Sequence, residues 1–195
     1  MILGFEIENK KIISISGLVE VIGLDDSFII DIKYASDNNF VGKQLYCVEK
    51  FILQINTAKK LIAANNEFKK FGYRLKIFDG YRPLSVQKIM WDLVHNEDFI
   101  APPSRGSVHN RGAAVDVTLI DENGNEVEMP SGFDDFSEKA GIYFASTSQN
   151  AIKNREFLAE IMEKNGFNRI ESEWWHFADS DFIKYPLLDI SFEEF

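Results

Sequence analysis

The chain has 195 residues, of which 45% are hydrophobic and 13% aromatic, and it carries a formal net charge of −10 at pH 7. This length is enough for one substantial hydrophobic core, so we expect a single domain over residues 1–195. The acidic balance argues against a nucleic-acid-binding protein, which needs a basic face to neutralise phosphates, and against attachment to anionic membranes.

Cysteine usage and the N-terminal sequence bear on location. Cys47 is the only cysteine, so no intrachain disulfide can form, as is typical of a reducing cytoplasm. The opening stretch "MILGFEIENKKIISISGLVEV" lacks the basic region, apolar run and cleavage site of a signal peptide. No window approaches the roughly 18 apolar residues of a membrane span. We therefore expect a cytoplasmic protein without membrane contact.

The first half of the chain predicts strands, then a helix, then a strand and a second helix. Residues 1–24 are rich in β-branched residues, which favour strands. From about Val48 to Phe71 apolar residues recur every three or four positions, which predicts a helix that stops at Gly72. The stretch "YRLKIFDGYRP" predicts a strand that ends in an Asp-Gly turn. Pro83 then lies in the first turn of a helix that runs to about His95.

The second half predicts a central strand and a last helix. Residues 113–119 form an apolar strand, and the Asn-Gly pair in "DENGNE" (121–126) indicates a hairpin after it. Residues 130–149 are loop-like, residues 151–165 predict a helix that ends at Gly166, and "RIESEWWHFAD" predicts the final strand. Helices and hairpins in this irregular order favour an α+β fold with an antiparallel sheet.

One charge interrupts the central strand in "SVHNRGAAVDVTL" (107–119). A buried carboxylate is costly unless something pairs with it. Because side chains alternate along a strand, the valines and leucine of this run face the core and Asp116 faces a cleft. Gly112 permits a turn just before the strand, which could bring His109 back beside Asp116.

A second histidine follows a glutamate in "EWWHF". Glu173 and His176 are three residues apart, so on a regular strand they point to opposite faces. They can share a site only if a bend separates them or Glu173 lies in the preceding turn. We expect Glu173 at the mouth of the strand and His176 inside it.

Together these residues can form a hydrolytic metal site. His109, Asp116 and His176 make a three-ligand zinc site with an open fourth position for water, whose pKa such a metal lowers to about 7. Glu173, not bound to the metal, could accept the proton of that water and return it to a leaving amine. Arg82 in "DGYRP" is the candidate cation for the developing oxyanion.

Each of these residues also has a simpler interpretation. A lone histidine is more often packed in the core or exposed, and we place His95 in that class. Asp116 could be a buried acceptor of backbone amides, Glu173 an exposed charge, and Arg82 a solvated or paired helix-start residue. Only the combination favours a metal site.

The same motifs occur in a known enzyme family. Residues 107–116 have the form S-x-H-x-x-G-x-A-x-D and residues 173–176 the form E-x-x-H, with "DGYRP" and "DIKYASDNNFVGKQLY" upstream. From about Asp31 to Phe177 the chain closely resembles the VanX-type D-alanyl-D-alanine dipeptidases. These are zinc metallopeptidases related to zinc D-Ala-D-Ala carboxypeptidases and to the Hedgehog signalling fold.

The resemblance implies a fold, a reaction and a set of catalytic residues. The fold would be a small antiparallel sheet flanked by helices, and the reaction hydrolysis of free cytoplasmic D-Ala-D-Ala. One Zn²⁺ per chain would be held by His109, Asp116 and His176. Glu173 would act as general base and then acid, and Arg82 would stabilise the tetrahedral intermediate.

The resemblance also implies residues that bind the dipeptide. Ser107 would help to hold the substrate, and Tyr34 and Trp174 would wall the cavity. An aspartate in "GFDDF" would bind the ammonium group. Asp134 aligns best with this role, although Asp135 stands next to it.

Two other functions compete with the dipeptidase. The first is a zinc D,D- or L,D-carboxypeptidase or endopeptidase that trims peptidoglycan stems, which needs an open groove and usually an exported protein. The second is a non-catalytic zinc-binding module. A structural site needs neither the spare carboxylate of Glu173 nor the cation of Arg82, and it tends to close its fourth position. The sequence sets neither the physiological role nor the oligomeric state.

Overall fold

The computed structural model describes residues 2–7, 10–97 and 99–195. Its helices and strands, in chain order, are β1 (Ile2–Ile7), β2 (Lys10–Ile15), β3 (Leu18–Glu20), β4 (Ile29–Ile30), β5 (Ile52–Gln54), α1 (Ile55–Lys69), β6 (Arg74–Asp79), α2 (Leu84–Val94), β7 (Ala114–Ile120), α3 (Gln149–Lys164), β8 (Phe167–Ile170) and β9 (Glu173–Asp179). The predicted α+β class is confirmed. Within the described residues, no helix is long and apolar enough to cross a bilayer.

The strands form two sheets. One has the order β1-β2-β3-β5 and the other β4-β6-β7-β9-β8. All pairs are antiparallel except β4 with β6, which run parallel. The chain between β4 and β6 contains β5 and α1, and such a long crossover is what a parallel pair requires. The predicted antiparallel sheet is therefore correct for the strands that carry the site and wrong at its β4 edge.

The first helix starts later than its periodicity predicts. It begins at Ile55 rather than near Val48, because residues 52–54 form β5 and pair with β3 through Leu18–Gln54 and Glu20–Ile52. Gly72 lies after the helix with a φ of +81°, as its predicted role as a stop requires. Strand pairing has overridden a helical pattern in the first turns.

The other two predicted helices are present with small shifts. Helix α2 follows Pro83 and ends at Val94, and His95 forms its left-handed cap with a φ of +47°. Helix α3 begins at Gln149, two residues before the predicted start, because the Ser148 hydroxyl accepts the N–H of Ala151 and caps it.

The core lies between helices α1 and α3 and the five-stranded sheet. Phe68 of α1 and Phe157 of α3 meet edge to face with ring centroids 5.6 Å apart. The β7 side chains Val115, Val117 and Leu119 belong to the same buried cluster. This confirms the predicted alternation, since Asp116 then lies on the opposite face of β7.

One hairpin prediction and one strand prediction need correction. The chain turns back at Gly124 as predicted, but only an isolated bridge joins Ile120 to Glu126 and no second strand follows. The predicted final strand is two strands, β8 and β9. Their pairing shifts register, because Arg169 pairs with Phe177 whereas Ile170 pairs with Glu173.

Candidate metal centre and active-site cavity

Strand pairing brings the first two candidate ligands together. Asp116 of β7 lies directly opposite His176 of β9 in the antiparallel register. Directly opposed residues share one face of the sheet. The Nδ1 atom of His176 accordingly lies 3.0 Å from Oδ1 of Asp116.

A tight turn adds His109. Residues His109–Arg111 form one turn of 3-10 helix, and Gly112 follows with a φ of +66°. A Cβ atom on Gly112 would lie 2.3 Å from Cδ2 of Leu18, so the position needs glycine for both conformation and space. The turn places Nε2 of His109 3.4 Å from Oδ2 of Asp116 and 3.1 Å from Nδ1 of His176.

The three side chains fit a zinc ion. All are buried, and their ligand atoms lie within 4.8 Å of one another. The Nδ1–H of His109 donates to the carbonyl oxygen of Gly80 at 2.7 Å, so Nε2 carries the free lone pair. Burial opposes ionisation of Asp116, but the two neighbouring histidines hold its pKa below the usual range. Two imidazole nitrogens and an ionised carboxylate are a typical zinc donor set.

Glu173 lies beside this cluster without joining it. It is the first residue of β9, and the register shift opposite Ile170 bends the strand there. The bend resolves the conflict with strict alternation, and Oε2 of Glu173 lies 3.9 Å from Nδ1 of His176. Burial raises the pKa of Glu173, with His176 opposing and Asp116 adding to the effect. A raised pKa suits a group that takes up and releases a proton.

Arg82 is held rigidly at the cavity. It follows β6, and its Nη2 donates to Oδ2 of Asp79 at 2.7 Å while its Nη1 donates to Oε1 of Gln87 at 3.0 Å. The guanidinium lies 5.3 Å from the centre of the Tyr34 ring. Nε of Arg82 has no hydrogen-bond partner among the described residues. Each Nη carries two N–H groups and donates one of them in these contacts, so each keeps a further N–H to offer to a ligand.

One cavity of about 300 Å³ contains most of the predicted site. The predicted residues that line it are Tyr34, Arg82, Ser107, His109, Asp116, Asp134, Glu173 and His176. The volume stands at the lower end of small-molecule sites, which suits a ligand of dipeptide size.

The structure separates the two aspartates that the sequence left open. Asp134 lines the cavity, where the Tyr34 hydroxyl donates to its Oδ2 at 3.0 Å. Burial raises the pKa of Asp134 to about 8, and the charge of Asp116 adds to the effect. Asp135 does not line this cavity, and its Oδ1 instead accepts the N–H of Ser137 at 3.0 Å.

The other two predicted substrate contacts differ in outcome. Ser107 lines the cavity, and its Oγ accepts the N–H of His109 at 3.3 Å. Trp174 does not line it, because its indole N–H donates to Oγ of Ser131 at 3.0 Å. Trp175 lines the cavity instead. Trp175 and His176 are neighbours on β9 and both line the cavity, so strict alternation does not hold here, in keeping with the register shift between Arg169 and Ile170 on the paired strand β8.

Several lining residues were not predicted. Gln87 and Arg105 contribute polar groups, and a cluster of three phenylalanine rings lines one side. The ring of Phe136 lies 4.9 Å from that of Phe40 and 4.5 Å from that of Phe99. Gln87 could have been found, because it lies in the first turn of the predicted helix that follows Arg82. The three phenylalanines come from separate loops, which leave no periodic signal.

Comparisons with known proteins identify the family. Residues 15–193 match the peptidase M15 family described as D-Ala-D-Ala dipeptidase. The D-alanyl-D-alanine dipeptidase of Escherichia coli (strain K12) is 35% identical over 178 residues, which cover 91% of this chain and 92% of that protein. The enzyme of the same name from Enterococcus faecium is 33% identical over 172 residues, covering 77% and 85%.

A solved structure, "VanYB in complex with D-Alanine-D-Alanine", covers 74% of this chain and 82% of its own, with a TM-score of 0.44 and 16% identity. The sequence match spans nearly the whole chain, and the His–Asp–His cluster fits the zinc ion of these metallopeptidases. The chain therefore belongs to the D-Ala-D-Ala dipeptidase family of M15 metallopeptidases.

Proposed function

We propose that this protein hydrolyses the free dipeptide D-Ala-D-Ala to D-alanine, with residues 1–195 acting as one catalytic domain. The observation that carries the proposal is the arrangement inside one small cavity. A converging zinc donor set, a carboxylate outside it, a fixed arginine and a separate buried aspartate line the same space. The names of the two relatives support the choice of dipeptide.

The metal-binding residues are His109 through Nε2, Asp116 through its carboxylate and His176 through Nδ1. A zinc ion held there would polarise the peptide carbonyl and would lower the pKa of a bound water to about 7. The hydrogen bond from His109 to the Gly80 carbonyl keeps the first imidazole in the tautomer that binding requires.

Glu173 moves the proton. Its Oε2 lies 3.9 Å from Nδ1 of His176, and it stands beside the donor set rather than within it. It accepts a proton from the attacking water and then delivers it to the nitrogen of the leaving D-alanine. Its raised pKa favours the protonated form between these steps.

Arg82 stabilises the carbonyl oxygen as it becomes an oxyanion. The contacts with Asp79 and Gln87 fix the guanidinium before substrate binds, so little reorganisation is needed during the reaction. Its remaining N–H groups are the donors. The interaction strengthens only as negative charge develops, which is the condition for lowering the barrier.

Asp134 binds the ammonium group of the dipeptide. With a pKa of about 8, its carboxyl is largely protonated at neutral pH, and an arriving ammonium favours the carboxylate. Tyr34 donates a hydrogen bond that keeps Asp134 in place. Ser107 and Arg105 contribute further polar groups, and the cation of Arg105 complements the carboxylate end of a zwitterionic dipeptide.

We further propose that the activity resides in the cytoplasm and removes a building block of peptidoglycan. The resemblance to dipeptidases that act on free cytoplasmic dipeptide supports this location. The single cysteine is consistent with a reducing compartment. Fractionation of cells that make the protein should recover the activity with the cytoplasmic fraction, and recovery outside the inner membrane would contradict the location.

The experiment that tests the reaction compares three substrates. Purified, zinc-loaded protein is offered D-Ala-D-Ala, L-Ala-L-Ala and N-acetyl-D-Ala-D-Ala, and alanine release is measured. We expect rapid release from the free D,D dipeptide alone. Cleavage of the acetylated peptide would indicate a carboxypeptidase, and no release from any substrate with zinc bound would indicate a non-catalytic module.

A further inference from the structure

The C-terminal segment 185–195, here called the strap, makes backbone hydrogen bonds to residues next to the active site. Leu188 donates its N–H to the carbonyl oxygen of Asn110 at 2.8 Å and accepts the N–H of Leu84 at 3.1 Å. Asn110 follows the ligand His109, and Leu84 is the first residue of α2, two residues after Arg82. Leu188 is thus hydrogen-bonded both to the neighbour of His109 and to the start of the helix that follows Arg82.

The strap also completes the start of α2. The helix follows Pro83, whose side chain offers no cap, yet the first N–H groups of a helix need acceptors. Oδ1 of Asp189 accepts the N–H of Ser85 at 2.7 Å. An aspartate distant in sequence therefore performs the capping role that a local residue usually fills.

The end of the strap is anchored in the core. Phe192 is 2% exposed, and its ring centre lies 4.6 Å from that of Tyr46 and 5.9 Å from that of Tyr81. The Tyr81 hydroxyl accepts the N–H of Ile190 at 2.8 Å and donates to its carbonyl oxygen at 3.2 Å. Lys50 donates to the carbonyl oxygen of Phe195.

A buried hydrogen-bonded chain leads from this anchor to Arg82. The Tyr46 hydroxyl donates to Oδ1 of Asp79 at 2.7 Å, and Oδ2 of the same carboxylate accepts Nη2 of Arg82 at 2.7 Å. Gly80 N–H also donates to Oδ1 at 2.9 Å. Asp79 and Tyr46 are fully enclosed, so the orientation of the carboxylate depends on these partners.

We infer that the strap is a positioning element for Arg82. Phe192 fixes Tyr46, Tyr46 orients Asp79, and Asp79 holds the guanidinium in the direction that the oxyanion requires. No residue of the strap lines the cavity. The inference rests on the proposed function of Arg82, and it gives a task to a segment that carries no recognisable motif.

The test uses one variant of the strap, one variant of its contact residue Tyr46 and a matched control in the zinc-loaded, full-length protein. Phe192→Ala removes the anchor, and Tyr46→Phe removes one hydroxyl but keeps the ring. We expect kcat for D-Ala-D-Ala to fall about tenfold in each, with KM and zinc content unchanged, because positioning errors reduce transition-state stabilisation. Tyr73→Phe, the same change in a half-buried tyrosine against Phe157, should leave kcat unchanged.

A double-mutant cycle separates positioning from general stability. In an Arg82→Ala background, Tyr46→Phe should cause no further loss of kcat, since its effect passes through the missing guanidinium. An equal loss in both backgrounds, or an unchanged kcat in the single variants, would overturn the inference. If Phe192→Ala does not fold, Phe192→Leu, which keeps a smaller apolar side chain at the anchor, replaces it in the kinetic and exchange measurements, and the Tyr46→Phe cycle tests the link from Tyr46 to Arg82.

A second measurement is independent of catalysis. Hydrogen exchange of the Leu84 and Ser85 amides should accelerate about tenfold or more in Phe192→Ala, because the strap supplies their acceptors. If the wild-type protein releases no alanine, the proposed function alone fails. Hydrogen exchange at these two amides then tests whether the strap holds the start of α2. Unchanged exchange at both amides would contradict it.

Discussion

The two ends of the cavity are built in different ways. At one end, Asp116 and His176 lie opposite each other on paired strands, and a glycine-dependent turn adds His109. At the other end, Asp134 lies on a loop outside any strand and adopts a left-handed φ of +57°. Regular structure fixes the metal-binding end, whereas tertiary contacts such as the Tyr34 hydroxyl hold the substrate end.

This difference has a functional consequence. The metal-binding end must hold three buried polar side chains close together, which costs free energy. A rigid sheet supplies that constraint. The end lined by Asp134 is the one that we propose to bind the dipeptide, and a loop there can differ between enzymes without disturbing the sheet. Changes at the first end should abolish the reaction, whereas changes at the second should alter substrate preference and affinity.

The largest expected effect comes from the metal-binding end. Asp116→Ala removes one of three ligands and leaves two histidines, so zinc affinity should fall by more than about 100-fold and activity should drop to background. Metal analysis after dialysis, together with alanine release, measures both. Full retention of zinc by this variant would show that the ion binds elsewhere.

Loss of the proton carrier should have the next largest effect. Glu173→Gln keeps the shape of the side chain but cannot accept a proton, so kcat should fall by about 10²- to 10⁴-fold while zinc stays bound. Metal content and steady-state kinetics on the same preparation give the answer. Simultaneous loss of zinc would make Glu173 a ligand rather than the base.

The substrate end should respond in KM. Asp134→Asn removes a charge-assisted hydrogen bond to the ammonium, a loss of about 1.5–3 kcal/mol, which corresponds to a rise in KM of roughly 10- to 100-fold. Asp135→Asn is the matched control, because its side chain lies outside the cavity. Equal effects of the two substitutions would remove the distinction between them.

The smallest effect concerns stability against pH in the metal-free protein. Asp134 has a pKa of about 8 when folded, against about 3.9 for an unfolded aspartate, so the folded state binds more protons between these values. Its contribution to the free energy of unfolding therefore falls as pH rises from about 4 to about 8. Asp134→Asn should flatten this dependence in urea unfolding with a chelator present, and a parallel pH profile would contradict the assignment.

Much of the metal-binding end could be predicted from the sequence. Alternation along residues 113–119 correctly put Asp116 opposite the core face, and the glycine at position 112 correctly indicated a turn. The register of β7 with β9 could not be predicted from the sequence, yet this register makes Asp116 and His176 neighbours. The bend that brings Glu173 to the same face appears only in the strand pairing.

The substrate end was predictable only through the resemblance to the dipeptidase family. The choice between Asp134 and Asp135 depends on loop geometry, and adjacent tryptophans look alike in sequence although only Trp175 lines the cavity. The apolar spacing before Ile55 wrongly predicted a helix, because residues 52–54 pair with β3 as a strand. Such outcomes are set by contacts between residues far apart in the chain, which no local pattern encodes.

The most direct test of the account is the position of zinc itself. Crystals of the zinc-loaded protein should show one anomalous scattering peak at the zinc edge, bonded to Nε2 of His109, the carboxylate of Asp116 and Nδ1 of His176. Glu173 should lie beside the ion without binding it. A peak at another place in the chain, or a bond from zinc to Glu173, would contradict the division between metal-binding residues and the proton carrier.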